Sequence, residues 1–543
     1  MKMNNFTLLI PSAKIVPEAL QNIGKLPAVI YPVSQRIIFD YLYEQYSEAA
    51  ERIKVICYEN SEEVIRKLSH YGEKVKIHVL DKLEDLGYTV YAGLEGEKNP
   101  VIINFADTII TENIYENEQD CFYYSEDYYS EAWTFFEIND GVLTKIIDKK
   151  PGASTQKGKL FTGVLKINDP EKFRLCLENA FSNPDYEIST FWQALRDYSI
   201  IHPLKALETE SWFDIGHIDK YFGSRLEVSA REFNYIKIDR AKGILHKTSD
   251  DKEKFIREIK WYLKLPAELE YVHPRIFDYS LHYTKPEVSM EYYAYHTLHE
   301  LFVYGDLNFH QWSEIFKRIH SVCEDFGRYT VRGENILPAL KEIYLAKTLE
   351  RLGSMKRNNK FSAFFEHDIY VNGKKYPSLN DLCAILKKFI PEILYDVDNF
   401  SIIHGDLCFT NIMAAPDMSF IKLIDPRGSF GAYDIYGDPD YDLAKILHSV
   451  EGKYDFIIKN LFSADFDINE ARINYEIFSG KLNFDINRLF CEIFCPDIKR
   501  IRFIEALLFL SMIPLHNESI SQQIIMLGTG LEILDETIHI AKE

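Results

Sequence analysis

Three polar side chains follow one another at short intervals between two apolar runs: Asp406 in His404-Gly405-Asp406, Asn411 five residues on, and Asp425 after the run Phe420 to Ile424. That order suits phosphoryl transfer. One carboxylate orients an attacking hydroxyl and takes its proton. An amide and a second carboxylate hold the Mg2+ ions that bridge nucleotide phosphates. The spacing predicts Asp406 at the tip of a tight loop with Asn411 further along it. A hairpin then brings Asp425 back beside both. The plainer alternative is a buried His and two loop Asp residues in an unrelated α/β protein.

The segment H-G-D-L-C-F-T-N (404 to 411), the pair Ile424-Asp425 and Asp442-Leu443-Ala444 resemble the aminoglycoside phosphotransferase and choline kinase group of small-molecule kinases. The resemblance implies Asp406 as catalytic base and Asn411 and Asp425 as Mg2+ ligands, with Asp442 bracing the loop. A protein kinase would carry Arg after the His, D-F-G at the metal Asp and a long activation segment. This chain has Gly405, Asp425-Pro426-Arg427-Gly428 and a short loop before Asp442. A small-molecule acceptor, a sugar or an amino alcohol, is therefore expected. Choline-type acceptors call for an aromatic and acidic cage. Arg427 hints instead at an anionic or polyhydroxylated acceptor, unless it pairs with Asp434 or Asp438.

Such a site needs a strand Lys for the phosphates and a helix Glu to hold that Lys. Alternating runs at 233–238 and 243–247 predict a β-hairpin that opens a new domain. Asp250 is placed to cap a helix running to about Leu265. Lys247 and Glu258 then have the right order and spacing, although no G-x-G-x-x-G precedes them. The bland reading makes them a solvated strand-end Lys and an exposed helix Glu. The run Val288 to Met290 leads into Glu291, which resembles the hinge that reads adenine through its backbone. Helical patterns follow over Leu298 to Phe302, Trp312 to Phe326, Pro338 to Leu352, Leu379 to Ile390 and Ile498 to His516. Residues 358–377, with Asn372-Gly373-Lys374-Lys375-Tyr376, read as a turn-containing insertion.

The first 225 residues alternate strand and helix patterns, which predicts an α/β domain with a mostly parallel sheet. Phe6 to Ile10, Ile53 to Tyr58, Val75 to Val79 and Val101 to Phe105 read as strands. Val33 to Tyr46 and Ser61 to Tyr71 read as helices, the second with Asn60 as N-cap and Glu63 completing a capping box. The aromatic segment 121–136 reads as an edge strand or hairpin with cross-strand ring pairs. An Asp at the carboxyl end of a central strand, here Asp107, is well placed for a metal against phosphates.

Asp107, then Asp148-Lys149-Lys150-Pro151, Leu160 to Val164 and Trp212-Phe213-Asp214 resemble, in this order, the nucleotidyltransferases that make nucleotide-activated sugars and phosphoalcohols. The resemblance covers residues 5 to 222. It implies Asp107 and Asp214 as Mg2+ ligands, Lys150 on the acceptor's phosphate and, more weakly, Glu187 near the acceptor. That family opens with a Gly-rich, Arg-bearing loop whose N–H groups meet the triphosphate. Here the region reads Leu9-Ile10-Pro11-Ser12-Ala13-Lys14-Ile15-Val16-Pro17, with no Gly and no Arg. Either Lys14 and Lys25 take over the phosphate contacts, or the domain binds a nucleotide without transferring it.

The fold expectation is thus an α/β nucleotidyltransferase-like, Rossmann-like domain over 1–225, with a mixed, mostly parallel sheet. A two-lobed protein-kinase-like α+β domain follows, its N-lobe at 226–300 and its helical C-lobe at 301–543. The domain order resembles bifunctional capsule-biosynthesis proteins. ATP, a second NTP (CTP, GTP or UTP) and Mg2+ are the expected small molecules. Two rivals remain: a kinase with a degenerate first domain, and a non-catalytic scaffold of a surface-polymer assembly.

A chain of 543 residues exceeds one ordinary core. A net charge of −21 argues against nucleic acid or an anionic membrane as the main partner. Eight cysteines without paired spacing suggest a reducing cytoplasm, with Cys491 and Cys495 as packed thiols. The first residues lack a signal-peptide pattern and no run of about 18 apolar residues occurs. A homo-oligomer is left open.

Overall fold

The computed structural model describes residues 6–33, 36–129, 133–149, 156–185, 187–217, 220–221, 223–224, 236–239, 241–357, 359–480, 482 and 484–542. The chain forms two compact units, Met1–Glu232 and Phe233–Glu543. No helix among the described residues is long and apolar enough to cross a membrane.

The first unit is built on a nine-stranded sheet. Thr7–Ser12 lies centrally, parallel to Arg52–Cys57 and Val101–Asn104, and Val75–Val79 extends the parallel side. Val101–Asn104 is buried throughout, as a β-branched run inside a covered sheet should be. The remainder departs from the parallel expectation. Lys157–Ile167 pairs antiparallel with both Val101–Asn104 and Cys121–Tyr128. Thr134–Asn139 and Val142–Asp148 form an antiparallel hairpin. Asp140 (φ 50°) and Gly141 (φ 79°) make its turn, the Asp-Gly pair that a tight hairpin favours. The sheet is therefore mixed. The aromatic strand Cys121–Tyr128 is interior, flanked by Lys157–Ile167 and Lys205–Glu208. Phe122, Tyr123 and Tyr124 are core, and Phe122 packs on Phe136 and Phe161. Asn60 does precede the helix Ser61–Leu68, but it sits at φ 50° without a side-chain capping bond. Its amide instead donates to the Lys25 carbonyl at 3.0 Å.

The second unit opens with an antiparallel sheet in the order Ile236–Asp239, Ile244–Thr248, Glu287–Glu291, Ile276–Ser280. Residues 233–235, expected in the first strand, lie outside the described residues. The helix Lys252–Lys264 follows, capped by Asp251, one residue beyond the expected Asp250. Trp261 of this helix is fully buried and donates to the Ile403 carbonyl at 2.7 Å. Truncating a side chain so enclosed costs about 3–5 kcal/mol, so this ring ties the sheet region to the loop that begins at His404.

Helices dominate the rest of the unit. Phe309–Gly327 carries a capping box between Asn308 and Gln311. The pattern over Pro338 to Leu352 is not one α-helix. Ile336–Leu340 runs into a π-helical segment, Lys341–Ala346, and then into Lys347–Lys356. Ile498–Met512 ends in a 3-10 turn before His516, because Pro514 cannot donate to the helix ladder. Ile369–Val371 and Lys374–Tyr376 form a hairpin around Asn372-Gly373 within a further four-stranded sheet.

Candidate active sites

In the second unit the strand Phe400–Ile402 delivers His404 to a tight loop. His404 is buried, and burial pushes its imidazole down to about 4, so it is neutral. Its Nε2 donates to the Ile424 carbonyl (3.0 Å) while Nδ1 accepts from the Asp406 N–H (3.3 Å). Asp442, from the helix Pro439–Val450, accepts the N–H groups of His404 (2.7 Å) and Gly405 (2.8 Å). Gly405 needs to be glycine. Its φ is +76° and a Cβ there would lie 2.9 Å from Arg427 Cβ.

Asn411 ends the short turn Phe409–Asn411, and its amide donates to the Asp406 carbonyl (2.9 Å) and to Asp406 Oδ2 (3.2 Å). The other carboxylate oxygen, Oδ1, meets Lys445 Nζ at 3.0 Å. Burial works to raise the Asp406 carboxyl, but the Lys445 charge and hydrogen bond outweigh it and hold the group well below the usual range. The hairpin Ile412–Ala414 and Ile421–Leu423 leads to Asp425, which sits at φ 57°.

Lys247 lies between two carboxylates, 2.7 Å from Glu258 Oε1 and 2.7 Å from Asp425 Oδ1. One ammonium cannot neutralise both. Burial and then the Asp425 charge push the Glu258 carboxyl up to about 7, against the pull of Lys247. A divalent cation beside Asp425 and the Asn411 amide oxygen would relieve that surplus, so the donor set fits Mg2+. Glu291 ends its strand with its carboxylate accepting from Tyr293 (2.7 Å). The N–H groups of Glu291 and Tyr292 are committed to the carbonyls of Arg275 and Gly243 (both 2.8 Å).

Arg427 pairs with neither expected aspartate. Its guanidinium donates to the Tyr441 hydroxyl at 3.0 Å, while Asp434 pairs with Lys264 and Asp438 with Arg500. Lys445 had no sequence signal beyond its position one helical turn after Asp442.

In the first unit Asp107 follows the strand Val101–Asn104, and Asp214 ends Trp212–Asp214, which pairs antiparallel with Thr108–Ile110. The Ile215 N–H donates to the Asp107 carbonyl at 2.8 Å, bringing the two aspartates together. Gly216 permits the approach, since a Cβ there would lie 2.4 Å from Asp107 Oδ2. Burial and then the Asp214 charge push the Asp107 carboxyl up to about 6. His217 Nδ1 lies 3.0 Å from Asp214 Oδ2. Among the described residues no group of three or more His, Cys, Asp or Glu is arranged to hold a metal. A carboxylate pair completed by phosphates and waters nonetheless fits Mg2+.

A cavity of about 250 Å³ adjoins this pair, with Ser12, Lys14, Asp85, Phe105 and Asp107 in its wall. Lys14 thus reaches the site, whereas Lys25 is exposed and does not line it. Lys150 lies outside the described residues. Glu187 is exposed, with its N–H on Asp185 at 3.0 Å. The Gly-free loop is internally satisfied. The Ile15 N–H donates to Glu59 Oε2 (2.8 Å) and the Val16 N–H to the Leu26 carbonyl (2.9 Å).

No family model and no curated protein matches the chain. Solved structures do. The chain is similar over 41% of its length to 99% of the CTP:phosphocholine cytidylyltransferase of Streptococcus pneumoniae, at 17% identity and TM-score 0.35. It is similar over 40% to 92% of the inositol-1-phosphate CTP transferase of T. maritima (18%, 0.32). A third similarity, over 42%, is to the whole of HddC from Yersinia pseudotuberculosis (15%, 0.32).

Proposed function

We propose that the second unit transfers the γ-phosphoryl group of ATP to a hydroxyl of a small molecule, and that the first unit couples the new phosphate to a nucleotide. The observation that supports this best is the approach of Lys247 to Asp425, 178 residues apart in sequence. Lys247 bonds to both Glu258 and Asp425, and Asp406 bonds to Asn411. In this reading the acceptor oxygen forms a bond to the γ-phosphorus as the β,γ P–O bond breaks. ADP leaves and the hydroxyl proton passes to Asp406. Lys247, steadied by Glu258, binds the nucleotide's phosphates, and Asp442 fixes the loop that aims Asp406. Mg2+ held by Asn411 and Asp425 would neutralise charge on the phosphates. Because Lys445 keeps Asp406 a weak base, its chief service is to orient the nucleophile, as a loose transition state requires.

In the first unit an oxygen of the acceptor's phosphate attacks the α-phosphorus of an NTP and pyrophosphate leaves. Asp107 and Asp214 would hold the metal there, with Lys14 toward the phosphates. The product is a nucleotide-activated sugar or alcohol of the kind used in surface polysaccharides such as capsule. A second reading, in which this unit binds a nucleotide without transferring it, is favoured by one observation: Glu59 already holds the Ile15 N–H. Mass spectrometry on sugars and amino alcohols, with Mg2+ and ATP and with or without CTP, GTP and UTP, separates the two. A monophosphate that one NTP converts to a nucleotide-linked product supports both activities. A monophosphate that no NTP converts supports the second reading, and the absence of any phosphorylated product refutes both.

A further inference from the structure

Lys347 lies within electrostatic reach of three further basic side chains, Arg427, Arg351 and Lys445, and of Asp406, in a chain whose net charge is −21. Lys445 meets Asp406 Oδ1, the oxygen turned away from Asn411. Arg427 folds back onto the same loop, its N–H donating to the His404 carbonyl at 3.0 Å and its guanidinium resting by Tyr441, one helical turn before Lys445. Lys347 and Arg351 lie one turn apart on the helix Lys347–Lys356 and so share a face. Arg351 is anchored by the Ser511 carbonyl (3.1 Å) and lies within electrostatic reach of Tyr441, Arg427 and Glu350. All four basic side chains are half-buried.

Lys347 is the telling member. The residues that act on its charge are Arg427, Arg351, Lys445 and Asp406, and of these only Asp406 is acidic. Burial, then the three cations, push its ammonium down to about 6. Among the described residues it makes no hydrogen bond or ion pair. Near neutral pH Lys347 is therefore largely an uncharged amine, held without a partner among three cations. Its protonation becomes favourable once an anion with several acceptor oxygens sits among the four groups.

We infer that Lys347, Arg351, Arg427 and Lys445 form an acceptor subsite for a carboxylate or phosphate group, placed on the Oδ1 side of Asp406, so that the hydroxyl substrate is itself an anion. This rests on the phosphotransferase reading above. It disfavours choline-like acceptors, because a quaternary ammonium would add a cation beside Arg351, Arg427 and Lys445. It also separates the two anions of the reaction: the nucleotide's phosphates belong to Lys247 and the Asp425 side, the acceptor's anion to this cluster.

The test uses the full-length protein with Mg-ATP and hydroxyl compounds matched except for charge: glycerol and glycerate, glucose and glucuronate, with choline as the cation. ADP release should favour the anionic member of at least one pair on the order of tenfold in kcat/KM. Lys347→Met and Arg351→Gln should each raise KM for that acceptor on the order of tenfold and leave KM for ATP within about twofold. Lys347→Met serves also as the folding control. It removes an unpartnered, half-buried polar group, so its melting temperature should hold or rise. A preference for the neutral compounds or choline, a KM effect on ATP instead, or a melting temperature that falls with activity would overturn the inference. Direct binding of inorganic phosphate to Asp406→Asn protein, by calorimetry, needs no turnover. Phosphate binding lost in the double variant with Arg351→Gln supports the subsite even where no acceptor is phosphorylated, and that combination refutes only the phosphotransferase reading. Absence of binding overturns the subsite.

Discussion

Replacing Gly428 with alanine should cripple the second unit through a backbone collision. Gly428 sits three residues after Asp425 at φ +67°, and a Cβ there would lie 2.2 Å from the Arg257 carbonyl oxygen and 2.9 Å from the Glu258 N–H nitrogen. Both obstacles are main chain of the helix that carries Glu258, so no side chain can swing aside. Ordinary contact begins near 3.4 Å, which leaves the helix or the loop to move by about 1 Å. A left-handed conformation costs a residue with a Cβ roughly 1–2 kcal/mol, and overpacking adds about 1–3 kcal/mol. A loss of about 2–5 kcal/mol in unfolding free energy is expected, read from denaturant midpoints. A misplacement of about 1 Å between Glu258 and Asp425 should further lower ATP-dependent transfer on the order of a hundredfold. Gly243→Ala is the control. Gly243 has φ +64° with nothing within 4 Å of the added carbon, so only the conformational cost of roughly 1–2 kcal/mol applies. If Gly428→Ala matches Gly243→Ala in both stability and turnover, the close packing of the helix on the Asp425 loop does not position the site.

Asp406→Asn should reduce phosphorylation by at least about a thousandfold while Mg-ATP binding by calorimetry persists; retained turnover would sink its role as base. Lys445→Met removes the cation that holds the Asp406 carboxyl down, so that carboxyl rises, and the acid limb of the pH–rate profile should move to higher pH; an unmoved limb contradicts the pairing. Asp214→Ala should abolish pyrophosphate release on the order of a hundredfold or more without lowering ADP release, as measured in coupled assays on one sample. Asp442→Ala strips the acceptor from two buried N–H groups and should cost roughly 2–4 kcal/mol in chemical denaturation.

The local parts of the second site were legible in sequence because they depend on short spacings. The five-residue step from Asp406 to Asn411 and the hairpin that returns Asp425 involve only a loop and a turn. Lys247 and Glu258 were legible in order alone. That Lys247 also bonds Asp425 depends on a helix crossing the loop at Gly428, which no local pattern records. Lys347 and Arg351 were invisible for the same reason, since only the packing of their helix brings them beside Asp406. In the first unit the central parallel strand Val101–Asn104 announced itself by a buried β-branched run, and Val75–Val79 at the sheet's end by its β-branched residues alone. The antiparallel half did not, although Asp140-Gly141 carried a hairpin signal. Alternation in the aromatic segment suggests an edge strand or a hairpin. The neighbours of Cys121–Tyr128 come instead from strands further along the chain, and burial is shared by Phe122, Tyr123 and Tyr124, while Tyr128 at the strand's end is exposed. Asp251 rather than Asp250 won the helix N–H by local competition, and the Asn60 side chain gave up its cap by donating to the Lys25 carbonyl instead.

The carboxylate of Glu59 on the Ile15 N–H turns the missing glycine loop into a question of ancestry and reversibility. A backbone N–H held by the protein's own carboxylate is occupied, not erased. The backbone donor remains in place beside a cavity that reaches Asp107. Glu59→Ala removes the carboxylate that occupies this donor and leaves Asp107 and Asp214 unchanged. Tighter nucleotide binding by that variant, read by calorimetry, would mark the Ile15 N–H as a phosphate donor of the proposed transferase site, and unchanged binding would assign Glu59 to holding the loop alone.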